Sequence, residues 1–126
     1  MSAHTCEAVV IHCIDFRLQH YLNDWLTNRF GNRNYDRISV AGGVQNLEFV
    51  IGQVEISHRL HKVKKAILIN HEDCGAYGSE GTKERHTSDL ENAEGRLETM
   101  FPVLDVEIYY LHLDGTFEQL SRTHPN

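Results

Sequence analysis

The sequence predicts an α/β fold, doubly wound, with a mainly parallel sheet of about four strands and helices on both faces. Three observations predict it. Short β-branched-rich runs recur four times, stripes of apolar residues at helical spacing separate them, and turn or stop residues punctuate the joins. Strands alternating with helices of this length pack as a parallel sheet joined by right-handed crossovers. A chain of 126 residues with 40% hydrophobic content suits a single domain, residues 1–126, built on one core.

Glu7 to His12 reads as the first strand. Leu18, Tyr21, Leu22, Trp25, Leu26 and Phe30 then fall at steps of three and four, which predicts an amphipathic helix closed by Gly31. Arg37 to Val40 is the second strand. Gly42-Gly43 opens a second helix carrying Val44, Leu47, Val50, Ile51 and Val54 and running toward Leu60. Ala66 to Asn70 is the third strand, and the polar, aperiodic stretch Ser79 to Thr87 reads as a surface loop. Ser88 and Glu91 have the spacing of a capping box, predicting that the third helix starts there and carries Leu90, Ala93, Leu97, Met100 and Phe101 up to the stop at Pro102. Val106 to Leu111 is the fourth strand, followed by a turn at Asp114-Gly115.

Composition excludes several partners. Eighteen acidic residues against twelve basic ones leave a net charge of −6, no footprint for a nucleic acid backbone. The longest aliphatic runs, Ala8 to Ile11 and Ala66 to Ile69, fall far short of the ~20 residues that span a bilayer. The opening residues carry no basic start followed by a long apolar run, so the expected location is the cytoplasm. Three cysteines, an odd count without an export signal, argue for thiolate chemistry or metal binding over disulfides.

In an open parallel sheet, ligands bind beyond the carboxyl ends of the strands. The segments expected there are CIDFR, AGGVQN and HEDCGAYG. Cys13, His71 and Cys74 offer two thiolates and an imidazole, the donor mixture zinc favours. His71 and Cys74, two residues apart, can aim at one ion from a short loop, and three protein ligands leave the fourth position of a catalytic zinc open. Free cysteine is also common as a small buried hydrophobe, but two of them at loop ends beside a histidine fit a metal better.

Asp15 and Arg17 follow Cys13 at steps of two, so an extended segment projects all three to one side. Asp15 can then reach the ion directly, or Arg17 can hold it as a bidentate pair facing a metal-bound water. Zinc with two thiolates and a neutral imidazole is formally neutral and acidifies water less than a three-histidine site, so a carboxylate orienting the nucleophile matters more. The expected chemistry is attack by zinc hydroxide on an electrophilic carbon. Gly42-Gly43 and Gly75 each let backbone N–H groups approach a small anion. No GxGxxG, GxxxxGK[ST], CxxC or Cys-x5-Arg motif occurs. His58 and His61, three apart on a helix, could bind metal but read better as solvated helix-face residues because no third ligand is placed nearby; His12 and His112 read as structural, and Cys6 as a core or incidental thiol with no ligand partner at a motif spacing.

CIDFR and HEDCG resemble the CxDxR and HxxCG segments of the β-class carbonic anhydrases, and IYYLHLDGTFEQL is similar to that family's closing strand and turn, so the resemblance runs from about Glu7 to Leu120. It implies that Cys13, His71 and Cys74 bind Zn2+, that Asp15 and Arg17 form a dyad, and that the reaction is hydration of CO2 to bicarbonate. It also implies a dimer or higher homo-oligomer with the site near the subunit interface, and an Asp15 able to displace water in a resting form. Some relatives hydrolyse carbonyl sulfide or carbon disulfide instead. A noncatalytic zinc-binding interaction protein, with Asp15 closing the coordination sphere, is the competing class. The sequence departs from the family pattern in its short N-terminal segment, with twelve residues before Cys13, in SVAGG where an RNAG segment is usual, and in Phe16 between the dyad residues.

Overall fold

Alternate side chains of each inner strand enter two separate layers of core, as the period of two in a strand demands. Val9 and Ile11 join Ala66, Leu68, Val106 and Ile108 on one face; Ala8 and Val10 join Ile67, Ile69, Tyr109 and Leu111 on the other. The structure, a computed structural model, describes residues 3–120. Its strands are β1 (Ala8–His12), β2 (Tyr35–Ser39), β3 (Lys65–His71), β4 (Asp105–Leu111) and β5 (Phe117–Gln119). Its α-helices are α1 (Gln19–Phe30), α2 (Leu47–His61) and α3 (Lys83–Met100), and single 3-10 turns lie at Phe16–Leu18, Gly43–Gln45 and Gly78–Glu80.

The sheet order is β2-β1-β3-β4-β5, parallel except for the antiparallel β5. α2 and α3 cover one face through Val50, Val54, Leu90 and Leu97, and α1 covers the other through Leu22 and Leu26. This is the expected doubly wound arrangement. From β1 the chain moves outward to β2, then crosses back to β3 on β1's other side, so the strand order reverses between β1 and β3. The carboxyl ends of those two strands define the crevice where such sheets bind ligands.

Five strands replace the expected four. β5 has only three residues, too short a run to show periodicity. It forms because the Asp114-Gly115 turn brings Phe117 against Leu111 and onto the indole of Trp25, with ring centroids 4.5 Å apart and nearly parallel. The second helix begins at Leu47 with Asn46 as its cap; Gly42-Gly43 introduces a 3-10 turn rather than the helix itself.

The third helix also begins earlier than the Ser88 capping box predicts. Thr82 caps it by accepting from the Arg85 N–H at 3.1 Å, so Lys83 to Thr87 are helical, Ser79 and Glu80 lie in the 3-10 turn, and only Gly81 and Thr82 of the expected loop are irregular. Lys83 to Arg85 are exposed and the buried residue of this turn, His86, is polar, so there was no apolar stripe to read. Removing a cap of this kind costs about 0.5–2 kcal/mol. Thr82→Ala is therefore expected to lower stability by about 1 kcal/mol in urea unfolding and Ser88→Ala by much less; the reverse order would restore the later start.

Candidate metal centre

Cys13 leaves the end of β1, His71 is the last residue of β3, and Cys74 follows on the loop after it. All three are buried, and their donor atoms lie within 4.8 Å of one another. The two sulfurs are 3.9 Å apart. The imidazole is oriented by its Nδ1, 2.7 Å from the Glu72 carbonyl, which places the proton on Nδ1 and leaves the Nε2 lone pair for the thiols' side. That buried Nε2 has no hydrogen-bond partner among the described residues. Two sulfurs beside an orphaned imidazole nitrogen suit a metal ion of zinc type: the residues fit the group.

The loops are shaped to converge there. Asp73 sits between ligand positions with φ 58°, a left-handed conformation Asp tolerates, and reverses the chain so that Cys74 turns back toward His71. Gly42 and Gly43 have φ 83° and 59°, and the Asn70 side chain fills the space a Gly43 Cβ would need. The Gly42 N–H consequently reaches the Cys13 sulfur at 3.4 Å, and the Val44 N–H donates to Asn70 Oδ1 at 3.1 Å. Burial pushes the Cys13 thiol up, but the adjacent His71 ring and the Gly42 and Asp15 N–H groups outweigh it and bring the thiol below its ordinary value. Burial and the neighbouring Cys13 push the Cys74 thiol up.

Asp15 and Arg17 form a bidentate pair, with Arg17 Nε 3.0 Å from Oδ1 and Nη2 2.7 Å from Oδ2. The Arg17 backbone N–H adds a further bond to Oδ1 at 2.9 Å. Arg17 holds the carboxyl well down, at about 2, despite partial burial. The guanidinium also bridges to the opposite loop, donating to the Asp73 carboxylate at 3.1 Å and the Asp73 carbonyl at 3.0 Å. Asp15 Oδ2 is then 3.9 Å from His71 Nε2. The carboxylate borders the three-donor group without belonging to it.

Gly75 lies exposed beside Cys74, and a Cβ there would meet open space. The expectation missed Asp73, which stands inside HEDCG but belongs to no ligand pattern, and the polar support behind the site. There Asn70 Nδ2 contacts Tyr77 Oη and His86 Nδ1, and Tyr77 donates to Asp89 at 2.7 Å. Asn70 was legible only as the end of the third strand, and Tyr77, His86 and Asp89 reach it through the fold.

Other residues settle as follows. His12 is buried between the Cys13 carbonyl and the Arg37 guanidinium, and His112 pairs with Glu118, so both are structural as expected. His58 and His61 are half-buried rather than freely solvated: His58 packs edge-on against Phe101, and His61 Nδ1 lies 2.6 Å from Asp36. Both are drawn inward because α2 ends over β2 and the α3 terminus. Of the aromatic positions Phe16, Tyr21, Trp25 and Phe30, only Phe16 is exposed, at 85%; the other three pack against the α1 core layer. No helix among the described residues is long and apolar enough to cross a membrane.

Comparison with known proteins bears on the family and the fold. The family model described as "Putative carbonic anhydrase" matches residues 3–121. An uncharacterized protein of Rickettsia bellii is 30% identical over 93% of this chain and 83% of its own. One from Rickettsia conorii is 31% identical over 89% and 70%. Among solved structures, a carbonic anhydrase from Glaciozyma antarctica superposes with TM-score 0.70 at 14% identity, over 96% of this chain and 85% of that one. The β-carbonic anhydrase of Aspergillus fumigatus gives TM-score 0.58 at 20% identity, over 97% and 78%. A tetrameric β-carbonic anhydrase of Sordaria macrospora gives 0.59 at 14%, over 95% and 83%. With the fold shared and the family model spanning nearly all of its length, the chain belongs to the putative carbonic anhydrase family.

Proposed function

We propose that this chain catalyses the reversible hydration of CO2 to bicarbonate and a proton, with zinc held by Cys13, His71 and Cys74. The observation that carries the reading is the placement of an ionised carboxylate, Asp15, against the three-donor group yet turned away from it by Arg17. Bound zinc supplies Lewis acidity that makes water a nucleophile near neutral pH. Asp15 is the acceptor that orients the proton of that water, since its oxygens carry lone pairs and no proton. Arg17 keeps it ionised and in place, and Asp73 keeps Arg17 in place. Gly75 is the proposed bicarbonate contact, where open space lies next to Cys74. Ile14 and Phe16, exposed at 59% and 85% on either side of Asp15, give this rim an apolar edge that a second copy of the chain would cover.

The noncatalytic reading requires Asp15 to close the coordination sphere, and four hydrogen bonds from Arg17 to its two oxygens oppose that. The pH profile tests the choice. A carboxyl lowered to about 2 adds stability that is complete above its unfolded value and disappears as pH falls through about 2, so the pair stays intact across the neutral range. Stopped-flow CO2 hydration should therefore rise from neutral toward alkaline pH with no additional limb from Asp15. A zinc-loaded chain inactive at every pH favours the noncatalytic protein.

A further inference from the structure

A second group of donor atoms lies at the opposite end of the sheet. Cys6 precedes β1 and Cys13 follows it, so the extended chain sets the two cysteines roughly 20 Å apart. There the Cys6 sulfur, a carboxylate oxygen of Asp36 and an imidazole nitrogen of His61 lie within 4.8 Å of one another. The three residues come from the segment entering β1, from β2 and from the last position of α2.

The backbone holds this group together independently of any ion. The Cys6 N–H donates to the His61 carbonyl at 3.1 Å, and Asp36 stands opposite Val9 in the parallel ladder. Asp36 Oδ2 meets His61 Nδ1 and the Ser57 hydroxyl, each at 2.6 Å. His61 closes α2, where the negative end of the helix dipole favours a cation. A cavity of about 210 Å³ opens onto these residues, and His4 lies at its wall with its ring centroid 4.8 Å from that of His61. Arg33 lines the same cavity and balances the Asp36 charge; the Cys6 thiol, pushed up by burial and by Asp36, adds a second negative charge on giving its proton up to a bound metal ion.

A cysteine, a histidine and an aspartate also suggest a nucleophile with its base. The contact geometry disfavours that, because the Cys6 thiol is directed to the Ala8 carbonyl at 3.7 Å and makes no hydrogen bond to the imidazole. Sulfur, imidazole and carboxylate are instead the donors of a borderline-soft divalent ion. We infer that Cys6, Asp36 and His61 form a second metal site for a zinc-type cation, with the His4 ring beside it.

Metal-stripped protein titrated with Co2+ tests this, because sulfur-to-cobalt charge transfer counts thiolate ligands without reference to activity. Wild type is expected to take up two equivalents per chain, and Cys6→Ser to take up one with the charge-transfer band reduced by about a third, one thiolate in three being removed. His61→Ala, checked for an unchanged circular dichroism spectrum, is expected to lose the same equivalent. Cys74→Ser should keep the portion of the band that Cys6 supplies. One equivalent in wild type at saturation, or two in both Cys6→Ser and His61→Ala, overturns the second site.

Discussion

Cys74→Ser is expected to weaken zinc binding by more than about 100-fold, beyond the 10–100-fold that removal of an outer partner of a metal ligand costs. The serine hydroxyl is a harder and far less acidic donor than a thiol, so it neither deprotonates at neutral pH nor matches zinc. Nothing nearby replaces it: Asp15, the closest other anion, is tied to Arg17, and Glu72 turns to the Leu113 N–H at 2.9 Å. His71 Nε2 and the Cys13 sulfur would be left as two donors, too few to hold the ion. A chelator competition assay, run in the Cys6→Ser background so that only this centre reports, measures the change. Unaltered affinity would place the metal elsewhere.

Arg17→Ala is expected to retain zinc and to lose about 10²- to 10⁴-fold in CO2 hydration, the range associated with a positioned proton acceptor. The substitution touches no donor of the three-residue group, yet it removes all three guanidinium contacts to Asp15 and the bridge to Asp73. Freed from its partner, the carboxylate can swing toward His71 Nε2, already 3.9 Å away, and occupy the open position. Arg17→Lys should recover little, since an ammonium cannot hold both oxygens in one plane. Asp15→Asn should also keep zinc and lose activity, but without the closure, because the amide is a poor ligand and a poor acceptor. Zinc content and stopped-flow rate measured on the same samples separate the three variants. Wild-type turnover in Arg17→Ala contradicts the dyad.

How much of this was legible in the sequence depended on whether a feature is local. Strand cores such as Val9 to Ile11 and Ala66 to Ile69 carry their burial in their own composition, and the stripes of α1 and α2 carry theirs in spacing, so the layered fold followed. CIDFR and HEDCG were legible because each packs its functional residues into five positions. The first turn of α3 was not, since Lys83 to Arg85 face solvent, the buried His86 is polar, and only the Thr82 cap marks them. β5 depends on Trp25, far away in the chain, to cover Phe117. Cys6, Asp36 and His61 stand in three separate elements with no motif spacing, and only the parallel register of β1 and β2 and the length of α2 bring them together. His61 accordingly looked like a surface residue.

The most direct test of the central claim is isotope exchange, in which 18O-labelled bicarbonate loses its label to water through CO2, followed on protein of known zinc content. The proposed function predicts depletion well above the uncatalysed rate, proportional to zinc at the Cys13/His71/Cys74 centre and abolished in Cys74→Ser. Label lost at the uncatalysed rate by fully zinc-loaded wild type would contradict it.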